Sequence, residues 1–429
     1  MKRFFSIILF VFVFLGLTAC GSGKKQEEKE EFKPKLDTST ACKISIVGTY
    51  SNFEALEAEF DRFNEYYPNV ELSYTKIDDY NNSIATVLNG KDTPNIFFSF
   101  SSWEGNSAYD SVFEHMENLA DSKLGFNIDC IRPGLLDPDS EGRILTVPIF
   151  STSYGMLINN DLFEEEGLKV PKTLQELLEV CEKFREKGYE SPMMGYSKKN
   201  SGALMNTLAY PIFAGTLAEN PEMVSLANKC DPKAGEYMRT ALETLSRLIN
   251  EGCINLEKCN EIKDNYTEVI LRFFEGDVPM MICTGDTVSG TGKRESQSQA
   301  FTDHPFSYSF APVPTTAKGG YFLDSPSIQF SVNSACSDLD MTNEFMRFLI
   351  SNEELNQMAS VKRLITPTKD LSFDKVYAPI GDVPTNLIIS PTALGIEDTL
   401  AVQIRVASFK VVTGELTIEE AIASYGSLK

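Results

Sequence analysis

Apolar and polar residues follow one another along the chain in blocks typical of strands and helices in alternation. "KISIVGTY" (43–50) predicts a strand, and the next segment repeats apolar residues at helical spacing from Phe53 to Phe63. "NVELSYTKI" (69–77) predicts a second strand. The continuous apolar run "TPNIFFSF" (93–100) predicts a third, of the kind buried within a parallel sheet. Strands and helices in this order favour an α/β fold.

The same pattern continues to the end of the chain. Ser51 and Thr173 each precede a glutamate by three residues, which predicts helix caps, and Asp161 is predicted to cap a short helix at 161–167. Residues 287–304 are rich in Ser, Thr, Gly and Gln and predict a surface loop. The remaining strands are predicted at 143–150, 154–159, 278–284, 306–314 and 326–333, and the remaining helices at 234–251, 338–350, 352–360, 393–413 and 417–425.

The N-terminal residues read as an export signal. Lys2 and Arg3 precede an apolar run at 4–17, which is shorter than the roughly 20 residues that span a bilayer. A basic start, a short apolar core and small residues after it are typical of a secretory signal. A short membrane anchor is the alternative reading.

The signal ends at "LTAC" (17–20), which resembles the bacterial lipobox. In that motif the cysteine is acylated and becomes the mature N-terminus. The resemblance implies a signal peptide at 1–19, lipidation at Cys20 and a position on the outer face of the cell membrane. Residues 20–41 begin with Gly-Ser-Gly and a charged tract without apolar residues, so they predict a flexible tether.

Composition limits the partners. The chain of 429 residues carries 61 acidic and 39 basic side chains, a net charge of −22. Such acidity argues against nucleic acid or anionic lipid as the ligand, because both would repel it. The length predicts two domains or one large composite domain, and 42% hydrophobic residues supply ample core.

Cysteine usage argues against a metal centre. No two cysteines have CxxC spacing, and the chain has only two histidines, so no structural metal is expected. Cys181 and Cys283 lie in apolar patterns and are predicted to be buried. A disulfide among Cys230, Cys253 and Cys259 is left open.

Several stretches resemble the family 1 extracellular solute-binding proteins. They are "ALEAEFDRFNEYYPNVELSY", "NGKDTPNIFFSFSSW", "GRILTVPIFSTSYGMLINNDLFEEEGLKVPKTLQELL", "FFEGDVPMMICTGD" and "TIEEAIASY". Asn95 stands where the family usually has Asp, and Leu174 and Asp286 stand where it usually has Trp. The stretches occur in this order, and the resemblance they carry extends over nearly all of residues 43–429.

The resemblance implies a type II, Venus-flytrap periplasmic-binding-protein fold, with a ligand cleft between two α/β lobes. The N-terminal lobe is expected at 42–149 plus 311–360, and the C-terminal lobe at 150–310 plus 361–429. The lobes would close on a solute and pass it to the membrane permease of an ABC importer. The chain is expected to be a monomer without cofactors or catalytic residues.

Ligand contacts are expected on loops at the carboxyl ends of strands, the rule for open α/β sheets. Ser51 has a helix cap as its alternative role. Trp103 is expected on an exposed loop, with a core position as the alternative, and Tyr210 in an aromatic-bearing loop at 208–215, whose Phe213 is assigned to the core. The full candidate set is Tyr50, Ser51, Asn52, Ser101, Ser102, Trp103, Glu104, Thr152, Tyr154, Tyr210, Thr284, Asp286, Asp324 and Arg363.

A carbohydrate is the expected ligand, because sugars need flat aromatic faces and paired hydrogen-bonding side chains. The single Trp, and Asp286 in a Trp position, leave a smaller saccharide or a cationic or polyhydroxylated solute open. A polyamine, peptide or phosphodiester remains the rival within binding. A surface glycosidase with two carboxylates, and a sensor or adhesin, are rivals outside it.

Overall fold

The computed structural model describes residues 31–103, 106–198, 203–371 and 374–428. Residues Pro34–Lys429 form one compact unit. The predicted signal peptide, Cys20 and the first half of the predicted tether lie outside the described residues, and so does Glu104.

Strands and helices alternate through this unit. The strands are β1 Cys42–Gly48, β2 Val70–Lys76, β3 Ile96–Ser99, β4 Val147–Pro148, β5 Ser151–Thr152, β6 Tyr154–Asn159, β7 Met193–Gly195, β8 Met280–Thr284, β9 Tyr308–Ala311, β10 Phe322–Leu323, β11 Ser325–Pro326, β12 Gln329–Val332 and β13 Ile388–Ile389. The α-helices are α1 Glu54–Asn64, α2 Tyr80–Leu88, α3 Asp110–Phe113, α4 Asn160–Glu165, α5 Leu174–Glu186, α6 Ala203–Ala218, α7 Val224–Asn228, α8 Arg239–Asn250, α9 Leu256–Cys259, α10 Thr267–Phe273, α11 Gly285–Val288, α12 Thr291–Glu295, α13 Gln299–Asp303, α14 Leu339–Leu349, α15 Asn352–Lys362, α16 Asp398–Val412 and α17 Ile418–Ala423. Short 3₁₀ turns lie at Ser101–Trp103, Ser107–Tyr109, Ile128–Cys130, Pro133–Leu135, Pro221–Met223, Pro232–Met238, Lys375–Asp382 and Thr385–Leu387.

The first large sheet has the strand order β2-β1-β3-β12-β4. Strands β1, β2 and β3 are parallel, whereas β12 runs antiparallel to both β3 and β4. Every residue of β3 is buried, which confirms the interior strand predicted from "TPNIFFSF". Helix α1 covers the sheet with Leu56 and Phe63, both fully buried.

The second large sheet has the order β7-β8-β6-β9. Strand β8 is parallel to β7 and antiparallel to β6, so Tyr154 at the start of β6 pairs with Thr284 at the end of β8. A core of buried Leu, Ile, Val, Met and Phe side chains surrounds this sheet. The two sheets are the centres of a two-lobed α/β architecture.

The chain passes between the two sheets three times. Strand β5 lies between β4 and β6, and it pairs with β11, which lies on the return path from β9 to β12. The third passage leaves α15 and runs beside the first, because Ser151 forms a bridge with Ile365. Three adjacent connections therefore join the two sheets, and they are called the hinge below.

Several predicted elements are wrong in detail. The strand expected at 143–150 is reduced to β4, and α4 is capped by Asn159, whose Oδ1 accepts from Leu162 N at 3.0 Å, rather than by Asp161. Residues 287–304 form helices α11 to α13 instead of an open loop, because Val288 and Thr291 are buried. Residues 208–215 lie inside α6 despite Pro211, and Phe213 is fully buried as predicted.

The eight cysteines within the described residues are free thiols. Cys181 and Cys283 are buried, as their apolar settings predict. The pKa of the Cys181 thiol is raised mainly by its hydrogen bond with Cys253 and, to a smaller extent, by burial. None of the α-helices in the described ranges has the length and apolar content that crossing a membrane requires.

Candidate functional site

The carboxyl end of β8 brings Asp286 into a group of hydroxyls. Asp286 lies in the first turn of α11, where its Oδ1 accepts a hydrogen bond from Ser327 Oγ at 2.5 Å. The hydroxyl of Thr152, on the first connection between the sheets, also acts to lower the pKa of this carboxylate. Burial nevertheless raises the pKa of Asp286 in spite of both hydroxyls. A ligand that donates a further hydrogen bond would therefore stabilise the charged form of this carboxylate.

Tyr50 faces this carboxylate from the first sheet. It follows β1, and burial raises the pKa of its phenol, with the charge of Asp286 as the next cause. Tyr50 follows a strand of the first sheet and Asp286 follows a strand of the second, so this electrostatic effect connects residues of the two sheets. The ammonium of Lys362 lies 4.8 Å from the centre of the Tyr50 ring, so one face of that ring is occupied.

Tyr154 and Tyr210 form an aromatic corner on the side of the second sheet. Their ring centres are 5.5 Å apart at 83°, an edge-to-face contact. Burial raises the pKa of Tyr154 to about 12, and the charges of Asp398 and Asp286 act in the same direction. Tyr154 therefore keeps its hydroxyl proton at neutral pH and can donate it to a ligand oxygen.

Trp103 does not occupy the exposed loop that the sequence predicts. Only 1% of its surface is exposed. Its ring stacks on Tyr109 at 4.7 Å and on Tyr80 at 6.2 Å, and its indole nitrogen donates to Asn81 Oδ1 at 3.3 Å. The prediction of an exposed Trp103 is wrong because the chain after β3 folds back into a 3₁₀ turn. A sugar could not reach either face of this ring in the observed state.

Asp324 belongs to the hinge rather than to an open surface. Both of its carboxylate oxygens accept from Arg132, at 2.6 and 2.7 Å. The same guanidinium donates to the carbonyls of Thr366 and Thr368 and to Ser151 Oγ, all within 2.8 Å. Arg132 thus binds all three connections between the sheets, which sequence reasoning missed because it lies in no recognisable motif.

The remaining candidates are distributed around the cleft and hinge. Arg363 ends α15 and donates from Nη1 to Glu295 Oε1 at 2.6 Å and to the Tyr308 hydroxyl at 2.9 Å. Thr284 Oγ1 lies 3.4 Å from Thr287 Oγ1 beside Asp286.

The candidates from the loops of the first sheet are mostly solvent-facing. Ser51, Asn52, Ser101 and Ser102 are exposed. Ser101 accepts from Gln329 at 2.9 Å, and the Asn52 amide donates to Glu54 at 2.9 Å. Ser51 caps nothing, because α1 begins after Phe53 without a side-chain cap.

A separate cavity of about 430 Å³ opens near the opposite end of the second sheet, where β7 begins. Its basic side chains are already paired: Lys187 contacts Glu166 at 2.6 Å, and Lys258 contacts Glu190 at 2.7 Å. Because these lysines are already paired with glutamates, they do not mark the cavity as a site for an anionic ligand. Across the described residues, no group of three or more His, Cys, Asp or Glu side chains could hold a metal ion.

Residues 58–381 match the bacterial extracellular solute-binding protein family. The match spans more than half of the chain, so the chain belongs to that family.

Solved structures with the same fold share little sequence with it. Apo RafE from Streptococcus pneumoniae is 17% identical with a TM-score of 0.68, over 92% of this chain and 98% of that one. The GacH receptor of Streptomyces glaucescens, solved unliganded and with acarbose, is 17% identical with a TM-score of 0.64, over 91% and 97%. A family 1 solute-binding protein from Bifidobacterium longum subsp. infantis is 16% identical with a TM-score of 0.65, over 90% and 98%. No curated protein matches this chain in sequence. At such identity these structures establish the two-lobed fold alone.

Proposed function

We propose that this protein is the lipid-anchored, extracellular binding component of an ABC importer, and that its solute is a carbohydrate. The observation that carries the carbohydrate assignment is the pairing of aromatic rings with a hydroxyl-bonded carboxylate in the cleft. The half-buried ring of Tyr154, which packs on the buried ring of Tyr210, offers apolar surface, and Asp286 offers acceptor oxygens. A sugar ring presents the complementary C–H faces and hydroxyl donors.

Three of the structural neighbours support this class of ligand. RafE has been solved with raffinose, a Bacillus licheniformis sugar transporter with stachyose, and GacH with acarbose. Each is similar to this chain in fold.

A thermal-shift screen tests the ligand class. We would screen mono- and oligosaccharides, including raffinose, against the intact exported protein. Spermidine is included as a cationic candidate ligand, because the negative charges of Asp286 and Asp398 both act on Tyr154. A saccharide that raises the unfolding midpoint supports the proposal, since binding to the native state alone stabilises it. A response to spermidine and to no saccharide would replace the carbohydrate by a cationic solute.

Binding without catalysis is part of the proposal. After prolonged incubation with the protein, the responding saccharide should be recovered chemically unchanged. Appearance of a shorter sugar would favour the glycosidase alternative instead.

The lobe division belongs to the same proposal. The N-terminal lobe would comprise 42–149 plus 311–360, and the C-terminal lobe 150–310 plus 361–429. The first passage, at β5, and the third, near Ile365, fall near these limits and support the division, whereas the second, at β11, follows a stretch that packs with the second sheet as far as Leu323. A monomer that closes on its solute would then deliver it to the permease.

Anchoring rests on the lipobox resemblance at 17–20. Acylation at Cys20 would insert hydrocarbon chains worth about 0.8 kcal/mol per buried methylene, which is enough for stable attachment when several chains are present. We expect Cys20→Ser to release the protein from membranes or leave it unprocessed. Membrane fractionation with mass spectrometry of the N-terminus measures this, and an acylated, membrane-bound variant would refute the assignment.

A further inference from the structure

Tyr266 presents an aromatic ring to solvent at the cleft. The residue precedes α10 and is 38% exposed, whereas every other aromatic side chain in the described ranges is half-buried or buried. Single exposed apolar side chains are common on protein surfaces, so the surroundings of the ring decide what it means.

The ring is held in place on one side. The guanidinium of Arg294 lies 5.0 Å from its centre, and Arg294 Nη2 donates to Thr267 Oγ1 at 3.1 Å. The Tyr266 amide donates to Asp264 Oδ1 at 3.0 Å, which anchors the backbone at the same point. A ring ordered before binding loses little conformational entropy when a ligand arrives.

The hydroxyl ties the ring to the turn that carries Asp286. Tyr266 Oη lies 3.2 Å from Ser289 Oγ, and Ser289 Oγ donates to the Asp286 carbonyl at 2.7 Å. The Ser289 hydroxyl has a single hydrogen, which it donates to the Asp286 carbonyl, so the Tyr266 hydroxyl is the donor in the bond between Tyr266 and Ser289. Gly290 permits this approach, because a Cβ there would lie 2.8 Å from the Tyr266 hydroxyl oxygen.

Tyr266 also acts on the opposite side of the cleft. It contributes, after burial and Asp286, to raising the pKa of Tyr50, which follows β1 in the first sheet. Hydrogen bonds through Ser289 thus join Tyr266 to the turn of Asp286, and both residues act electrostatically on Tyr50. Each of the two tyrosines has a cation over its ring, Lys362 over Tyr50 and Arg294 over Tyr266, but Tyr266 is the more exposed, at 38%.

We propose that Tyr266 contacts the ligand, stacking its exposed ring on the C–H face of a sugar ring while the neighbouring Asp286 accepts a hydroxyl of the same saccharide. This assignment rests on the proposed carbohydrate function. Covering roughly 60–80 Å² of ring at ~25 cal/mol per Å² corresponds to roughly a ten- to thirtyfold change in Kd.

Calorimetric titration with the saccharide that responds best in the panel tests the contact. Tyr266→Ala should weaken binding by roughly ten- to thirtyfold, and Tyr266→Leu, which keeps apolar bulk but loses the flat face, by a smaller but measurable factor. Tyr266→Phe keeps the ring and should stay within roughly threefold of the wild type, since only a surface hydrogen bond is lost. Tyr189→Ala is the matched control, because Tyr189 is a half-buried tyrosine that lines the separate cavity near the start of β7.

The unfolding midpoint without ligand separates contact from folding. It should stay near the wild-type value in Tyr266→Leu while the affinity falls. The wild type could bind a saccharide while Tyr266→Ala and Tyr266→Leu both bind it with unchanged affinity. That result would overturn the role of Tyr266 and leave the carbohydrate function intact. Absence of any saccharide response in the wild type would instead overturn the proposed function and, with it, this contact.

Discussion

Glu59 is a buried carboxyl group on α1 that faces a second carboxyl group, that of Glu354. It is fully buried, and neither of its oxygens has a conventional donor. Arg62 Nη2 donates to Glu354 at 2.7 Å, whereas its Nε is 3.4 Å from Glu59. Burial, and then the hydrogen bond and charge of Glu354, raise the pKa of Glu59 to about 9. A pKa this high favours the protonated form of Glu59 at neutral pH, which removes one charge from the pair.

This proton makes stability depend on pH. The folded-state pKa lies above the ordinary value of 4.5, so the folded protein binds one more proton than the unfolded chain between about pH 4.5 and 9. The stabilisation is complete below that window and is lost as the pH rises through it. The free energy of unfolding should fall with pH less steeply in Glu59→Gln than in the wild type, by up to about 1.4 kcal/mol per pH unit.

Denaturant titrations from pH 5 to 8 measure this difference. Glu57→Gln is the control, because Glu57 is an exposed carboxylate in the first turn of the same helix. Equal slopes for wild type, Glu57→Gln and Glu59→Gln would mean that Glu59 is ionised in the folded state.

Trp103 shows why the site was only partly predictable from sequence. The local sequence predicts that Trp103 follows a buried strand, and the structure confirms this. Its two stacking partners come from α2 and from the 3₁₀ turn at Ser107–Tyr109, so its burial depends on tertiary packing that spacing does not encode. Asp286 could be selected from the end of a strand and Tyr154 from the predicted crossing between the lobes, whereas Tyr266 precedes a helix and carried no such signal.

Trp103→Ala should therefore act on stability. Removing a buried Trp costs about 3–5 kcal/mol through lost burial and the cavity left behind. We expect a loss of this size in the free energy of unfolding, with the affinity for the responding saccharide within about threefold of wild type. Chemical denaturation and calorimetry measure the two effects. A large loss of affinity in a variant of normal stability would return Trp103 to the binding site.

At the scale of elements, local capping signals were read correctly where nothing competed with them. Thr173 caps α5 by accepting a hydrogen bond from the Glu176 amide, as the spacing of the two residues predicts. Ser51 fails because Glu54 accepts from the Asn52 amide and Phe53 is held in an aromatic cluster with Tyr50. Tertiary packing thus moved the start of α1 to Glu54.

The hinge elements depend on Arg132. Its ion pair with Asp324 is largely buried, with side-chain exposures of 13% and 6%. Arg132→Gln leaves Asp324 buried without its partner, which typically costs about 3–5 kcal/mol. Arg247→Gln is the control, since its pair with Glu251 is exposed and such pairs contribute about 0–1 kcal/mol.

Denaturant unfolding of both variants tests the hinge ion pair. The double variant Arg132→Met with Asp324→Leu should lose less stability than Arg132→Gln, because it leaves no unpaired charge. Equal, small losses in Arg132→Gln and Arg247→Gln would show that the hinge does not depend on this ion pair.

At the scale of the whole molecule, the alternation of strands and helices predicts the α/β class, and the family resemblance predicts two lobes. The sheet order β2-β1-β3-β12-β4 could not be predicted from local pattern, because β12 lies more than 200 residues after β3 in the chain. The hinge was equally hidden, since Arg132 meets Asp324, Thr366 and Ser151 only after folding. Long-range contacts therefore decide how the cleft is assembled.

Ligand binding should close this cleft. Tyr50 approaches from the first sheet and Asp286 from the second, so a saccharide that contacts both is bound most tightly when the lobes are together, and it shifts the population towards that state. Small-angle scattering should then give a smaller radius of gyration with the responding saccharide than without it, and the same radius with a saccharide that gave no thermal shift. At a ligand concentration 100 times Kd, the free energy of unfolding should rise by about 2.7 kcal/mol. A rise in stability with an unchanged radius would mean that one lobe holds the ligand alone. Binding stabilises the protein whether or not the lobes close, whereas the radius of gyration falls only if they do.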